Sequence, residues 1–136
     1  MPAHPIEHWY AYMKSHDGNG LDAMLADDAV FESPVVFTPQ KGKAITKAYL
    51  SAAAGVLGGD AFTYVGEWRG ERSAILEFTD MVDGISINGV DMIWWDEQDK
   101  IIRFKVMVRP LQAVNMLHQK MGEMLAAMKG KEPSAA

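Results

Sequence analysis

The chain has 136 residues, enough for one domain, and 49% of them are hydrophobic while 23% are charged. That composition excludes a disordered chain and a membrane span, and the absence of cysteine excludes disulfides, thiolate metal sites and a cysteine nucleophile. The net charge is −5, and the sequence has no run of basic residues that could neutralise the phosphates of a nucleic acid. Because the N-terminus lacks the charged-then-apolar pattern of a secretory signal, we expect a cytoplasmic protein.

The first part of the chain predicts helices with one short strand between them. Apolar residues three and four apart indicate the helices, and Asp17-Gly18-Asn19-Gly20 interrupts them with turn chemistry. The predicted elements are a helix from Ile6 to His16, a short helix from Leu21 to Ala26, a strand from Ala29 to Glu32, an extended segment from Val35 to Pro39, and a helix from about Lys43 to Leu57.

The second part predicts a sheet followed by one helix. Alternating apolar residues favour strands, and Asp83-Gly84 is a strong hairpin signal. The predicted elements are strands over about 62–68, Ser73–Val82, Ile85–Trp95 and Lys100–Val108, and a helix from Leu111 to Met128. We therefore expect a single α+β domain, with helices on one side of a curved antiparallel sheet, an ordered core over about 6–128 and a frayed polar tail.

The last two strands carry apolar residues on both faces. Asp91, Ile93 and Trp95 share one face, while Met92 and Trp94 share the other. In a sheet with one solvent-exposed face, apolar and polar residues alternate more strictly along each strand. We therefore expect the second face to be covered by a copy of the chain. The alternative is that the C-terminal helix folds back over it.

Three segments resemble the nuclear transport factor 2-like superfamily: Leu21–Pro34, Gly42-Lys43-Ala44-Ile45, and Gly89-Val90-Asp91-Met92-Ile93. That group includes ketosteroid isomerases, polyketide cyclases of the SnoaL type and limonene-epoxide hydrolases. The resemblance runs from about Ile6 to Met128. It implies a cone, in which a bent sheet and helices enclose a mostly apolar pocket.

The resemblance also implies site positions. A ketosteroid isomerase would need a carboxylate base where this chain has Ser33, and a tyrosine where it has Trp9, or Tyr12 with a shifted helix. Its third group, a protonated aspartic acid, matches Asp91. Since one of the three groups is present, ketosteroid isomerisation is not expected. The polyketide cyclases place their acid/base aspartate in the same region, which again points to Asp91.

Asp91 is the predicted catalytic residue. The strand pattern places its carboxyl among apolar side chains, where loss of solvation raises a carboxyl pKa by about 2 to 4. Such a group can donate a hydrogen bond to a carbonyl oxygen or transfer a proton near neutral pH. The alternative is a structural carboxyl, bonded to a tyrosine, a tryptophan N–H, a backbone amide or an arginine.

Other residues are predicted to line the pocket. Asp80 shares the face of Leu76 and Phe78, although a position in water near the mouth is the alternative. The predicted binding residues are Trp9, Tyr12, Ser33, Phe78, Asp80, Ile93, Trp95 and Phe104. His4 and His8 have a spacing that metals use, but we expect neither a metal site nor an organic cofactor.

Three functions remain open at this point. The first is an isomerase or cyclase that binds a small apolar carbonyl compound and uses Asp91 as acid or base. The second is a non-catalytic, dimeric pocket for a hydrophobic small molecule, and the third is a protein-interaction adaptor. Nucleic acid and membranes are not expected partners.

Overall fold

The computed structural model describes residues 4–130, which form four helices and six strands. The polar tail expected after Met128 lies mostly outside these residues. None of the helices within this range is both long and apolar enough to cross a membrane. The elements are α1 (Pro5–Ser15), α2 (Gly18–Met24), β1 (Leu25–Glu32), β2 (Gln40–Lys41), α3 (Lys43–Leu57), β3 (Thr63–Arg69), β4 (Ser73–Val82), β5 (Ile85–Trp95), β6 (Ile101–Arg109) and α4 (Leu111–Gly130).

The strands form one sheet in the order β2-β1-β6-β5-β4-β3. Strands β3 to β6 are an antiparallel meander, as the turns between them predict. Strand β1 lies parallel to β6, so the sheet is mixed rather than wholly antiparallel. The α+β fold is confirmed, with the N-terminal helices and α4 packed on the inner face of the sheet.

The largest difference from the predicted elements lies around Asp17. Its side chain accepts a hydrogen bond from the backbone N–H of Asn19 at 3.1 Å, which makes Asp17 the N-cap of α2. The segment predicted to separate the first two helices therefore begins the second one. Strand β1 begins four residues earlier than predicted, because Leu25 pairs with Ile101 of β6.

The inner face of the sheet holds the core. Leu76, Phe78 and Ile93 are at most 1% exposed. Gly89 lies between β4 and β6, and a Cβ atom there would lie 2.6 Å from both Phe78 Cζ and the backbone oxygen of Met107. The glycine thus lets the Phe78 ring pass directly over β5, two residues before Asp91 on the same face.

Candidate functional site

An interior cavity lies between the inner face of the sheet and helices α1, α3 and α4. Its volume, taken as the space open to the centre of a water molecule, is about 40 Å³. The walls are mostly aliphatic and aromatic, with two polar side chains among the described lining residues. The lining consists of Trp9, Met13, Phe31, Ser33, Pro34, Val35, Leu50, Ala53, Ala54, Leu57, Phe62, Phe78, Asp91, Phe104, Val106, Leu117 and Met121.

Asp91 supplies the carboxyl of this cavity. It lies in the middle of β5, where it pairs with Leu76 of β4 and Val106 of β6. The strand alternation turns its side chain inward, as the sequence predicts, and the residue is 6% exposed. A carboxyl on a central strand cannot reach bulk water by a small movement of its own side chain.

A tyrosine on the edge strand holds one oxygen of that carboxyl. The Tyr64 hydroxyl donates to Asp91 Oδ2 at 2.6 Å, and it accepts a hydrogen bond from Trp9 Nε1 at 2.8 Å. An indole N–H can only donate, so it fixes the direction of the chain from Trp9 through Tyr64 to Asp91. Because Oδ2 is engaged, Oδ1 is the carboxyl oxygen left for a ligand.

The register of β3 explains why Tyr64 can reach Asp91. Tyr64 pairs with Phe78 and Asp91 with Leu76, so the two side chains lie diagonally across β4 on the same face. A register irregularity between Tyr64 and Gly66 follows directly. Such an irregularity locally re-aims side chains along a strand.

Burial sets the protonation of both groups. Loss of solvation raises the pKa of Asp91 to about 7, although the Tyr64 hydrogen bond acts in the opposite direction by favouring the carboxylate. Burial, followed by the nearby Asp91 charge, raises the pKa of Tyr64 well above its ordinary value. Tyr64 therefore stays a donor at neutral pH, while Asp91 populates both its acid and its carboxylate form.

Ser33 is the second polar group in the cavity wall. Its Oγ accepts hydrogen bonds from the backbone N–H groups of Val35 at 3.0 Å and Val36 at 3.3 Å. Those bonds use the lone pairs of the hydroxyl and leave its hydrogen for donation. Ser33 thus has the turn role considered for it, and these turn hydrogen bonds do not use its hydroxyl hydrogen.

The structure places five of the predicted site residues in the cavity wall and four outside it. Trp9, Ser33, Phe78, Asp91 and Phe104 line the cavity. The other four are buried but lie outside the lining defined by the described residues: Tyr12, Asp80, Ile93 and Trp95.

The four exceptions have separate physical reasons. Tyr12 faces a groove between α1, α2 and the β5–β6 turn, so it is no substitute for the family's tyrosine. Trp95 packs edge-on against His4 with ring centroids 5.1 Å apart, and Ile93 is ordinary core. Ile93 and Trp95 share the inner face of β5 with Asp91, and Tyr12 shares α1 with Trp9, but none of the three side chains is part of the cavity wall.

Asp80 fits neither of its two expected positions. It is 7% exposed, so it does not lie in water at the mouth, yet it does not line the cavity. Its Oδ1 accepts from the Met81 N–H at 2.8 Å, while Oδ2 is buried without a partner among the described residues. Burial raises the pKa of Asp80.

Sequence reasoning missed Tyr64 and did not assign the side chains of α3 and α4 to the cavity wall. The alternation of Phe62 and Tyr64 identifies a strand face, but no sequence pattern tells which residue of a neighbouring strand lies opposite. Leu50, Leu117 and Met121 lie on apolar helix faces whose spacing predicts burial without distinguishing core from cavity wall.

Replacing Asp91 with asparagine should change how stability depends on pH. The folded state holds its proton up to about pH 7, whereas an unfolded aspartate loses it near 3.8, so the folded protein loses stability as pH rises between these values. The full difference corresponds to about 4 kcal/mol. Asp91→Asn should match the natural protein at pH 4 and exceed its free energy of unfolding at pH 8 by up to about 4 kcal/mol in urea denaturation.

Asp60→Asn, at an exposed position, controls for the loss of one negative charge. Equal stability of Asp91→Asn and the natural chain at pH 8 would contradict a desolvated carboxyl at position 91.

Comparisons with known proteins agree on the family. The SnoaL-like domain model matches residues 6–104. A steroid delta-isomerase from Pseudomonas aeruginosa is 32% identical, with 93% of this chain and 92% of that chain covered and a TM-score of 0.86. An uncharacterised cystatin-like-fold protein from Silicibacter pomeroyi is 26% identical over 88% of this chain and 83% of that chain, with a TM-score of 0.81.

More distant structures share the fold alone. One is an NTF2-like protein of unknown function from Cytophaga hutchinsonii, 12% identical over 80% of this chain and 90% of that chain, with a TM-score of 0.61. No curated protein matches the sequence. On the family model and the 32% identical structure, the chain belongs to the SnoaL-like family of the nuclear transport factor 2-like superfamily.

Proposed function

We propose that this protein binds a small apolar carbonyl compound in its cavity and catalyses an isomerisation or cyclisation by proton transfer, with Asp91 as the acid/base residue. The observation that carries the proposal is the buried Asp91 carboxyl, which lines an apolar cavity and has one oxygen held by Tyr64. A pKa of about 7 makes both protonation states accessible at neutral pH, which suits a general acid/base.

The proposed chemistry is neutral in redox terms. The Asp91 carboxylate removes a proton from the carbon beside the carbonyl, so a C–H bond breaks and an O–H bond forms on the carboxyl. The resulting enolate then takes the proton back at another carbon, or its carbon attacks a second carbonyl and the new alkoxide takes the proton. No electron acceptor is needed, so the reaction requires no redox cofactor.

Ser33 is the proposed donor to the enolate oxygen. It lines the same cavity as Asp91, and its hydroxyl hydrogen is not required by the turn it stabilises. Trp9 and Tyr64 do not serve this role because each donates within the network that ends at Asp91. Hydrogen bonds at a developing oxyanion are among the largest contributions to catalysis.

The P. aeruginosa protein that is 32% identical to this chain is named as a steroid delta-isomerase, which supports isomerisation as the reaction class. Ser33 and Trp9 nevertheless stand where the family resemblance implies a carboxylate base and a tyrosine. A chain without those two groups is poorly equipped for a ketosteroid, so we propose a different carbonyl substrate for Asp91.

The same two departures favour a second candidate, a non-catalytic module that only stores or carries a hydrophobic molecule. In this case the cavity binds ketones, but Asp91 exchanges no proton with them. Proton exchange separates the two functions without knowledge of the natural substrate.

The exchange experiment follows hydrogen–deuterium exchange beside the carbonyl of a panel of apolar cyclic ketones in D₂O by NMR. The natural protein should accelerate exchange of at least one ketone, and Asp91→Asn should lower that rate by about 10²- to 10⁴-fold. Asp80→Asn, which alters a second buried carboxyl on the same sheet face, should retain the rate. Binding of ketones without accelerated exchange would establish the non-catalytic module.

Replacing Tyr64 with phenylalanine should move the pH profile of the exchange reaction. The Tyr64 hydroxyl stabilises the Asp91 carboxylate, so its loss raises the Asp91 pKa further. The exchange rate should rise with pH as Asp91 loses its proton. In Tyr64→Phe the midpoint of that rise should move to higher pH by about one to two pH units. An unchanged midpoint in a folded Tyr64→Phe protein would remove Tyr64 from the mechanism.

We also propose that the protein is a homodimer through the outer face of the sheet. Met92 and Trp94 lie half-buried on that face, and Trp68 is 58% exposed beside them. The Arg103 guanidinium lies 4.4 Å from the centroid of the Trp94 ring. Apolar and aromatic side chains with arginine are the typical composition of an interface core.

Sedimentation velocity tests this interface. The natural chain should sediment at twice the monomer mass, and Met92→Lys should yield the monomer because it places a charge in the interface centre. Ile45→Lys, at an exposed position on α3, is the matched control and should stay dimeric. A natural chain that sediments as a monomer at high micromolar concentration would disprove the dimer.

A further inference from the structure

Strand β3 contains a β-bulge that turns two of its side chains toward the same face of the sheet. Tyr64 pairs with Phe78 of β4. Glu67, three residues further along β3, pairs with Leu76, which is only two residues from Phe78. Side chains three residues apart normally point to opposite faces of a strand. Because the bulge adds one residue, Glu67 lies on the inner face together with Tyr64.

Two consecutive residues of α1 bind these two side chains. Trp9 Nε1 donates to the Tyr64 hydroxyl at 2.8 Å. The hydroxyl of Tyr10 donates to Glu67 Oε1 at 2.6 Å. The other carboxylate oxygen of Glu67 accepts a hydrogen bond from Arg69 Nε on the same strand. Helix α1 is therefore attached to β3 on both sides of the bulge.

The ring of Tyr10 also packs directly on Tyr64. The two rings meet edge to face with their centroids 5.2 Å apart. Phe62 makes a second edge-to-face contact with the Tyr64 ring, at 4.9 Å. Aromatic pairs in this geometry attract each other beyond the effect of the area that they bury. A displacement of Tyr10 would therefore also move the Tyr64 ring.

Strand β3 depends on such side-chain contacts because it is an edge strand. It is the last strand in the sheet order, and its one neighbour in the described sheet is β4. The bulge interrupts the pairing with β4 immediately after Tyr64. Asp91, by contrast, lies on a central strand that pairs on both sides. The distance from Tyr64 to Asp91 therefore depends on how firmly β3 is held.

We propose that Tyr10 and Glu67 are positioning residues for the acid/base site. Their hydrogen bond holds the bulged part of β3 against α1, and the Tyr64 hydroxyl thereby stays within hydrogen-bond distance of Asp91. The inference rests on the proposed function, because it concerns the residue proposed as acid and base. Neither Tyr10 nor Glu67 is among the described residues that line the cavity, so both act through Tyr64.

The Tyr10–Glu67 hydrogen bond persists over the pH range in which Asp91 titrates. Hydrogen bonds from Arg69 and Tyr10 lower the pKa of Glu67. Burial, followed by the hydrogen bond to Glu67, raises the pKa of Tyr10. Glu67 is therefore a carboxylate and Tyr10 a neutral donor near pH 7. A change in the Asp91 pKa of a variant then reports the contact with Tyr64.

The pKa of Asp91, followed by carbon-13 NMR of aspartate-labelled protein, tests the positioning role without any ligand. The Asp91 signal is assigned by its absence from the spectrum of Asp91→Asn. Tyr10→Phe removes the hydroxyl but keeps the ring, and the loosened Tyr64 should raise the Asp91 pKa by about 0.5 pH units. In a Tyr64→Phe protein the same substitution should add no further rise, because the contact that it supports is already absent.

Substitutions of Glu67 separate positioning from charge. Glu67→Ala should raise the Asp91 pKa as Tyr10→Phe does, although the loss of a negative charge would by itself lower it. Glu67→Gln should stay close to the natural value, because the amide oxygen still accepts from Tyr10. Tyr49→Phe is the matched control and should change nothing, since Tyr49 is also half-buried and its ring packs on Phe31 at 5.2 Å.

The outcomes distinguish this inference from the proposed function. An unchanged Asp91 pKa in folded Tyr10→Phe, or an equal rise when Tyr10→Phe is added to Tyr64→Phe, overturns the positioning role. Ketone exchange that is lost in Asp91→Asn supports the proposed function in either case. A raised Asp91 pKa in Tyr10→Phe without ketone exchange by the natural protein supports the positioning of Tyr64 and leaves the cavity as a non-catalytic module.

Discussion

The hydrogen bond from Tyr64 to Asp91 is the interaction on which the rest of the site depends. It joins an edge strand to a central strand at 2.6 Å and commits one carboxyl oxygen, so the other is presented to the cavity. Burial and this bond act on the carboxyl in opposite directions, and burial prevails. The resulting pKa of about 7 lies near neutral pH although the carboxyl is set in an apolar wall.

The scaffold explains why the proposed chemistry depends on a single carboxyl. In this chain the end of β1 offers Ser33, which stabilises a turn through its own oxygen, and α1 offers Trp9, whose N–H points at Tyr64. Neither of these two side chains can take up a proton near neutral pH. Acid/base capacity in the cavity wall is therefore concentrated at Asp91 among the described residues.

The sequence predicted the elements that local chemistry decides. Strands β4 and β5 begin and end as predicted, because Asp83-Gly84 fixes their turn and the alternation fixes their inner face, which includes Asp91. A tyrosine partner for Asp91 was one of the predicted alternatives, but its identity as Tyr64 was not predictable, because alternation identifies a face but not the register between strands. Asp80 shows the same limit: its face was correct, while the cavity ends before its level.

The network from Trp9 to Asp91 also links the site to the order in which the chain acquires its structure. Trp9 and Tyr64 are 55 residues apart, and Tyr64 and Asp91 are 27 apart. Contacts between such distant segments carry a large loop-closure entropy and form after local turns and hairpins. The β4–β5 hairpin can therefore close early, whereas the hydrogen-bond network from Trp9 to Asp91 is complete only after α1 has docked.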